Sequence, residues 1–147
     1  MHSSWIKIIG LKSDPIKFVL VVLGWGVSLA SLALTGIVSG VIIPRAAAKP
    51  NMPISGIALY YAAIFGVSLL AGLVLSNIAR SLIGSLASNS FAAALTYLAL
   101  IIPGLTGIIP ETIAEDLAIT FTFTAFFPFA MFLGLIGGLL GSMFTEI

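Results

Sequence analysis

The sequence predicts an all-α integral membrane bundle of four transmembrane helices with short loops and an N-terminal interfacial segment. Three observations predict it. Hydrophobic residues fill 60% of the 147 positions and charged residues 7%, with a mean hydropathy of +1.23, whereas a soluble domain carries about 25% charged residues. A water-exposed chain this apolar would present one continuous hydrophobic patch. Four long stretches, 18–43, 54–79, 82–109 and 117–144, contain no Asp, Glu, Lys, Arg or His, and each exceeds the roughly 20 residues needed to cross a bilayer core. None alternates polar and apolar residues as barrel strands do, which leaves helices as the permitted solution.

The elements follow in order. In residues 1–14, Trp5, Ile8 and Ile9 share a helical face while Lys7 and Lys12 reach headgroups, which reads as an interfacial segment. Asp14-Pro15 reads as a helix cap followed by the first helical position, where proline has no N–H to waste. The first span is 16–43. Its apolar run of 26 residues is longer than the signal-peptide core of about 7–15, so it is expected to be a true span. Pro44 and Pro50 interrupt the chain and Pro53 opens the second span, 54–79. The third span is 84–109, with its start left open between Leu82 and Phe91 and its end at Pro110. Thr112 to Glu115 has the pattern of a capping box, in which hydroxyl and carboxylate satisfy each other's backbone N–H. That places the start of the fourth span, 113–144, near Ile113. Glu115 and Asp116 also suit the positive end of a helix dipole. Pro128 falls inside this span and is expected to kink it, freeing the carbonyl of Thr124. With loops this short, residues 1–147 read as a single transmembrane domain.

Basic residues near span ends set orientation. Lys7, Lys12, Lys17 and Arg80 share one side, against Arg45 and Lys49 on the other. Both termini are therefore expected in the cytoplasm.

Composition excludes several functions. The net charge is +1 and six basic residues are scattered thinly, so no nucleic-acid partner is expected. There is no cysteine, and the single histidine is His2. None of the four apolar stretches holds an Asp, Glu, Lys, Arg or His, although proton relays and ion pumps depend on an ionisable group. No span offers a histidine to a haem, and Met131 reads as a gap-filler. Without a nucleophile–base pair, an enzyme is not expected. Glu111, Glu115 and Asp116 supply too few ligands for a divalent cation, so no metal site is expected.

The positive signals are small residues and a polar segment. Gly134, Gly137, Gly138, Gly141 and Ser142 recur at helix-face spacing, as do Gly36 with Gly40 and Gly72 with Ser76. Such faces let helices approach closely. The stretch Arg80–Ser90 is the most polar of the middle region. It reads either as a tight loop anchored by Arg80 or as a broken helix, with Asn77, Arg80, Ser88 and Asn89 forming a polar site near Tyr97. Phenylalanines 121, 123, 126, 127, 129 and 132 spread around the fourth span, so some face lipid, a quinone or pigment, or another subunit. Gly26–Leu29 repeats as Gly66–Leu69, and Ile42–Pro44 as Ile108–Pro110, matches short enough to arise by chance in so biased a composition.

These features favour a non-catalytic membrane subunit that packs through glycine-rich faces within a larger complex of respiratory, photosynthetic or translocation type. Its partners would be other membrane subunits and lipids. A second reading is a small channel or carrier for a neutral or hydrophobic solute. A third is a self-assembling coat or filament, in which the chain is a homo-oligomer.

Overall fold

The computed structural model describes residues 15–43 and 54–146. The N-terminal interfacial segment, the loop holding Pro44, Arg45, Lys49, Pro50 and Pro53, and Ile147 lie outside the described residues. Five helices and no strand occur among the described residues: α1 (Pro15–Val38), α2 (Ile54–Leu75), α3 (Ile78–Leu105), α4 (Glu111–Phe126) and α5 (Phe129–Glu146). Four of them, α1, α2, α3 and α5, are long and apolar enough to cross a membrane.

The first helix opens at Pro15, whose fixed φ already suits a helix. It closes earlier than 43. Gly40 takes a left-handed φ of 74°, and the N–H groups of Val41 and Ile42 return to the Gly36 carbonyl at 2.9 and 3.0 Å. This is the glycine-terminated helix end, in which spare carbonyls are satisfied by a reversal of the chain. Ile42 folds back and its Cδ1 would lie 2.7 Å from a Cβ on Gly36. Gly36 is thus a packing position, against Ile42 and Tyr60. Gly40 is not, because it is exposed in the turn rather than on a helix face.

The junction of α2 and α3 is Ser76-Asn77, upstream of the loop expected around Arg80. Ser76 adopts a left-handed φ of 52° and lies exposed beyond the end of α2. The expected pairing of Gly72 with Ser76 on one helical face is therefore corrected: only Gly72 packs. Asn77 is extended, and its side chain accepts from the Arg80 N–H at 3.0 Å. That cap supplies the acceptor the first turn lacks. It starts α3 at Ile78, before both Leu82 and Phe91, and makes Arg80–Ser90 continuous helix. The third span accordingly covers 78–105 in place of 84–109. Its end is set by Gly107, at φ 76°, before Pro110 is reached.

The fourth span is broken, not kinked. Pro110 sits at the α4 N-cap, and no side chain caps this end. Thr112 is already helical, so the expected capping box does not form, and the helix begins at Glu111 instead of Ile113. The N–H groups of Ile113 and Ala114 bond to the Pro110 carbonyl, each at 3.0 Å. The helix stops at Phe126 and resumes at Phe129, because Pro128 has no N–H to continue the ladder. The carbonyl of Ala125 is taken up by the Tyr60 hydroxyl, which donates to it at 2.9 Å. A tertiary bond thus replaces a helical one.

The core lies where α1, α2, α3 and α5 meet, around Trp25, Leu29, Ala33, Ile64, Ala71 and Ala92. Outward faces carry large apolar side chains such as Leu20, Leu59, Leu70 and Leu98, all more than half exposed, as a surface solvated by lipid tails requires. The return path through α4 and α5 runs antiparallel to α3. Gly104 meets Ala114, Asn89 meets Gly134 and a Cβ on Gly138 would touch Ser81. Between the first two contacts the return path uses about five more residues than α3, and the break absorbs them.

Candidate functional site

The inward face of α3 is built from small and polar residues: Ser81, Gly84, Ser85, Ser88, Asn89, Ala92 and Thr96 are all buried. Their spacing of three and four keeps them on one side of the helix. Ser88 Oγ donates to the Ser85 carbonyl at 3.1 Å. Asn89 Nδ2 donates to that same carbonyl at 2.8 Å. A carbonyl only accepts, so the amide nitrogen must face it and Oδ1 must point elsewhere. Asn89 is 6% exposed. Across the core, Trp25 Nε1 donates to Ser68 Oγ at 3.1 Å.

Beside the helix break, α3 and α4 separate around a cavity of about 500 Å³, a volume typical of small-molecule sites. Asn89, Ala93, Ala94 and Tyr97 form one wall. Ile119, Thr122, Phe123 and Phe126 form the other, with Phe127 and Met131 closing the end at the break. Ile119, Phe123 and Phe127 are each more than half exposed, so the cavity opens sideways toward the surroundings of the bundle. The break lies level with Tyr60, in the second turn of α2, between apolar helix faces.

Two lining residues on opposite walls have a buried side-chain atom without a hydrogen-bond partner, Asn89 Oδ1 and Thr122 Oγ1. The Asn89 amide lies against α5, where a Cβ on Gly134 would be 3.0 Å from Nδ2 and 3.7 Å from Oδ1. The Thr122 hydroxyl is unusual within its own helix turn. Thr124 returns its hydroxyl to the Thr120 carbonyl at 2.8 Å, as Ser90 does to Leu86 at 2.9 Å and Thr106 to Ile102 at 3.0 Å. Thr122 makes no such bond, and an unsatisfied buried polar group costs about 1–3 kcal/mol. Among the described residues that line the cavity there is no carboxylate, imidazole, thiol or amine.

The residues singled out in the sequence divide into separate places. Asn77 caps α3, and Arg80 stands in its first turn, about 13 Å along the helix axis from Asn89. They do not join the cavity. Ser88 is buried against α1, where its carbonyl would lie 3.1 Å from a Cβ on Gly26. Asn89 and Tyr97 reach the cavity wall. The glycine series of α5 is buried throughout, with Ser142, and its neighbours belong to this same chain. A Cβ on Gly137 would lie 2.8 Å from the Phe65 carbonyl, and one on Gly134 would lie 3.0 Å from Asn89 Nδ2. Those on Gly72 and Gly141 would strike the carbonyls of Gly138 and Leu69. Phe123, Phe126 and Phe127 come from the phenylalanine run singled out in the sequence, whereas Thr122 was not legible as a site residue. The only signal was a threonine at every second position within a phenylalanine-rich run. Glu111, Glu115 and Asp116 are exposed, and no metal-binding group of three or more such side chains occurs among the described residues.

Compared with known proteins, the chain matches no family model, no curated protein and no solved structure.

Proposed function

We propose that this chain is a non-enzymatic membrane protein that holds a neutral, largely apolar solute in the cavity between α3 and α4, acting as a small carrier or lipid-binding unit. The observation that carries this reading is an apolar cavity between two apolar helices, opening sideways, with Asn89 as a polar residue in its lining. Lipid-soluble molecules reach such a mouth without passing through water. A charged solute would lose its hydration there with nothing of opposite sign to meet it. A helix broken beside a binding site is also the arrangement by which membrane carriers expose polar backbone to a solute.

Extraction from the native membrane in mild detergent, followed by native mass measurement, tests this. The chain is expected to retain a small molecule in stoichiometric amount. Ala93→Trp, which fills the cavity from the α3 wall, is expected to release it while the helical signal of the protein persists. Equal retention by the variant would place the bound molecule elsewhere and overturn the reading.

A second reading, a subunit of a larger complex, draws on a different face. Along the outer side of α1, Gly24, Ser28, Ser31 and Thr35 follow one another at helical spacing. The Ser28, Ser31 and Thr35 hydroxyls fold back to the carbonyls of Gly24, Val27 and Ser31 at 2.8, 2.9 and 2.7 Å. Nothing lies within 4 Å of a Cβ on Gly24. This leaves a smooth, small-residue strip of the kind on which another membrane helix packs. The glycines of α5 do not serve this reading, because their close contacts are internal. In the same mass measurement a stoichiometric partner chain, without a bound small molecule, would favour it.

A further inference from the structure

We infer that the cavity between α3 and α4 takes a flat, uncharged aromatic ring system dissolved in the lipid, received among Tyr97, Phe123, Phe126 and Phe127. This inference rests on the reading of the cavity as a ligand site and adds the shape and chemistry of the ligand. Lipid tails are as apolar as the side chains of the bundle, so a solute that passes from lipid into the cavity gains nothing from the hydrophobic effect. A saturated chain finds the same contacts outside, and it loses rotational freedom on entering. The favoured occupant is one that gains from groups that lipid tails lack.

Those groups are aromatic rings, and four of the lining residues carry one. Phe123 and Phe127 already pair, with ring centroids 5.0 Å apart and planes tilted by 34°. They are 61% and 53% exposed, so much of each ring is uncovered by protein. Phe126, at 7% exposed, is anchored in the bundle. A ring carries a negative face and a positive edge, so a second ring settles against it offset or edge-on. Each such pair strengthens binding a few-fold to about tenfold beyond the area it covers. A saturated molecule has no such charge pattern to offer. The facing wall sets the shape. Beside Tyr97 it is made of Ser90, Ala93 and Ala94, none of which carries more than a hydroxyl beyond Cβ, so α3 presents a low surface on which a flat molecule lies. The Ser90 hydroxyl is spent on the Leu86 carbonyl at 2.9 Å, so this surface asks for no polar head. No charged side chain lines the cavity among the described residues, which favours an uncharged ligand.

The test uses the full chain in phosphatidylcholine vesicles and an anthracene that carries a photoreactive diazirine. Labelling is mapped by mass spectrometry of the segment 119–131. Three unlabelled molecules of equal carbon number compete with it: anthracene, its fully hydrogenated form and a linear alkane. Anthracene is expected to compete about tenfold better than either saturated molecule, the worth of one to two aromatic pairs. Phe123→Leu combined with Phe127→Leu replaces two largely exposed side chains, so this variant should fold normally and lose most of that preference. Phe132→Leu, at a similarly exposed phenylalanine outside the cavity lining, should keep it. Competition by either saturated molecule equal to that of anthracene, or full preference in the double variant, would overturn the aromatic ligand while leaving the cavity as a ligand site. Labelling of 119–131 that no competitor reduces would overturn both. Labelling per chain that falls as the chain is concentrated in the vesicle would assign the groove to a second copy of the chain, and would also overturn both.

Discussion

Replacing Gly72 or Gly141 with alanine is expected to destabilise the bundle by about 3 kcal/mol in each case, at the upper end of the usual cost of overpacking. The reason is that the obstacle is backbone. A methyl on Gly72 would collide with the Gly138 carbonyl, and one on Gly141 with the Leu69 carbonyl and the Leu73 N–H. Rotamer changes cannot relieve a clash with a main-chain oxygen, so α2 and α5 must move apart. Lipid supplies no hydrophobic force between helices, and close packing is what holds this pair together. The controls are Gly24→Ala and Gly66→Ala, because nothing lies within 4 Å of a Cβ at either position. Those should be neutral, or stabilising by about 0.5–1 kcal/mol through helix propensity. Unfolding in mixed micelles, followed by helical signal, measures all four. Equal effects at the inner and outer glycines would contradict the α2–α5 contact.

Trp25 carries the second large effect. It is 3% exposed, lies against Gly138 and donates to Ser68. Trp25→Ala is expected to cost about 2–3 kcal/mol. That is below the roughly 3–5 kcal/mol of a soluble core, because the unfolded reference in a membrane is already apolar and only the packing term remains. Trp25→Phe separates packing from hydrogen bonding. It keeps much of the ring and loses the bond to Ser68, which in a bilayer is worth about 0.6 kcal/mol. The phenylalanine variant should therefore retain most of the stability, and the same micelle titration reads it. A phenylalanine variant as unstable as the alanine one would make the Trp25–Ser68 bond, rather than the fit over Gly138, the controlling interaction.

What the sequence reveals and what it hides follow from the kind of signal each feature leaves. Apolar stretches without charges mark the four crossings because burial of charge in lipid is the largest single cost in the system. The helix ends are harder to read. Asn77 caps α3 although the polarity of the chain peaks further on, and its side-chain bond to Arg80 is a local contact that hydropathy does not register. At 110–115 the capping-box pattern is present but loses to Pro110, whose fixed φ starts the helix before Thr112 can act as a cap. Pro128 is visible as a fault in the fourth span. That the fault becomes a full break depends on Tyr60 reaching across from α2 to take the Ala125 carbonyl, a contact between residues far apart in the chain. The glycines of α5 are legible as a close-packing face, but which helix they meet is decided by topology. Of the cavity, Asn89, Tyr97 and the phenylalanine run were in view, but not that they face one another, because the opposite wall, with Thr122, comes into place through the antiparallel return of α4.

The most direct measurement of the central claim is methionine-methyl NMR of the reconstituted chain, titrated with anthracene. Met131 lines the cavity, and Met143 lies exposed near the end of the same helix. The Met131 methyl signal is expected to shift and saturate at about one anthracene per chain, while Met143 moves only with the gradual change of the surrounding lipid. Parallel, non-saturating shifts of both signals would mean that the anthracene merely dissolves in the bilayer, and would contradict the cavity as a binding site.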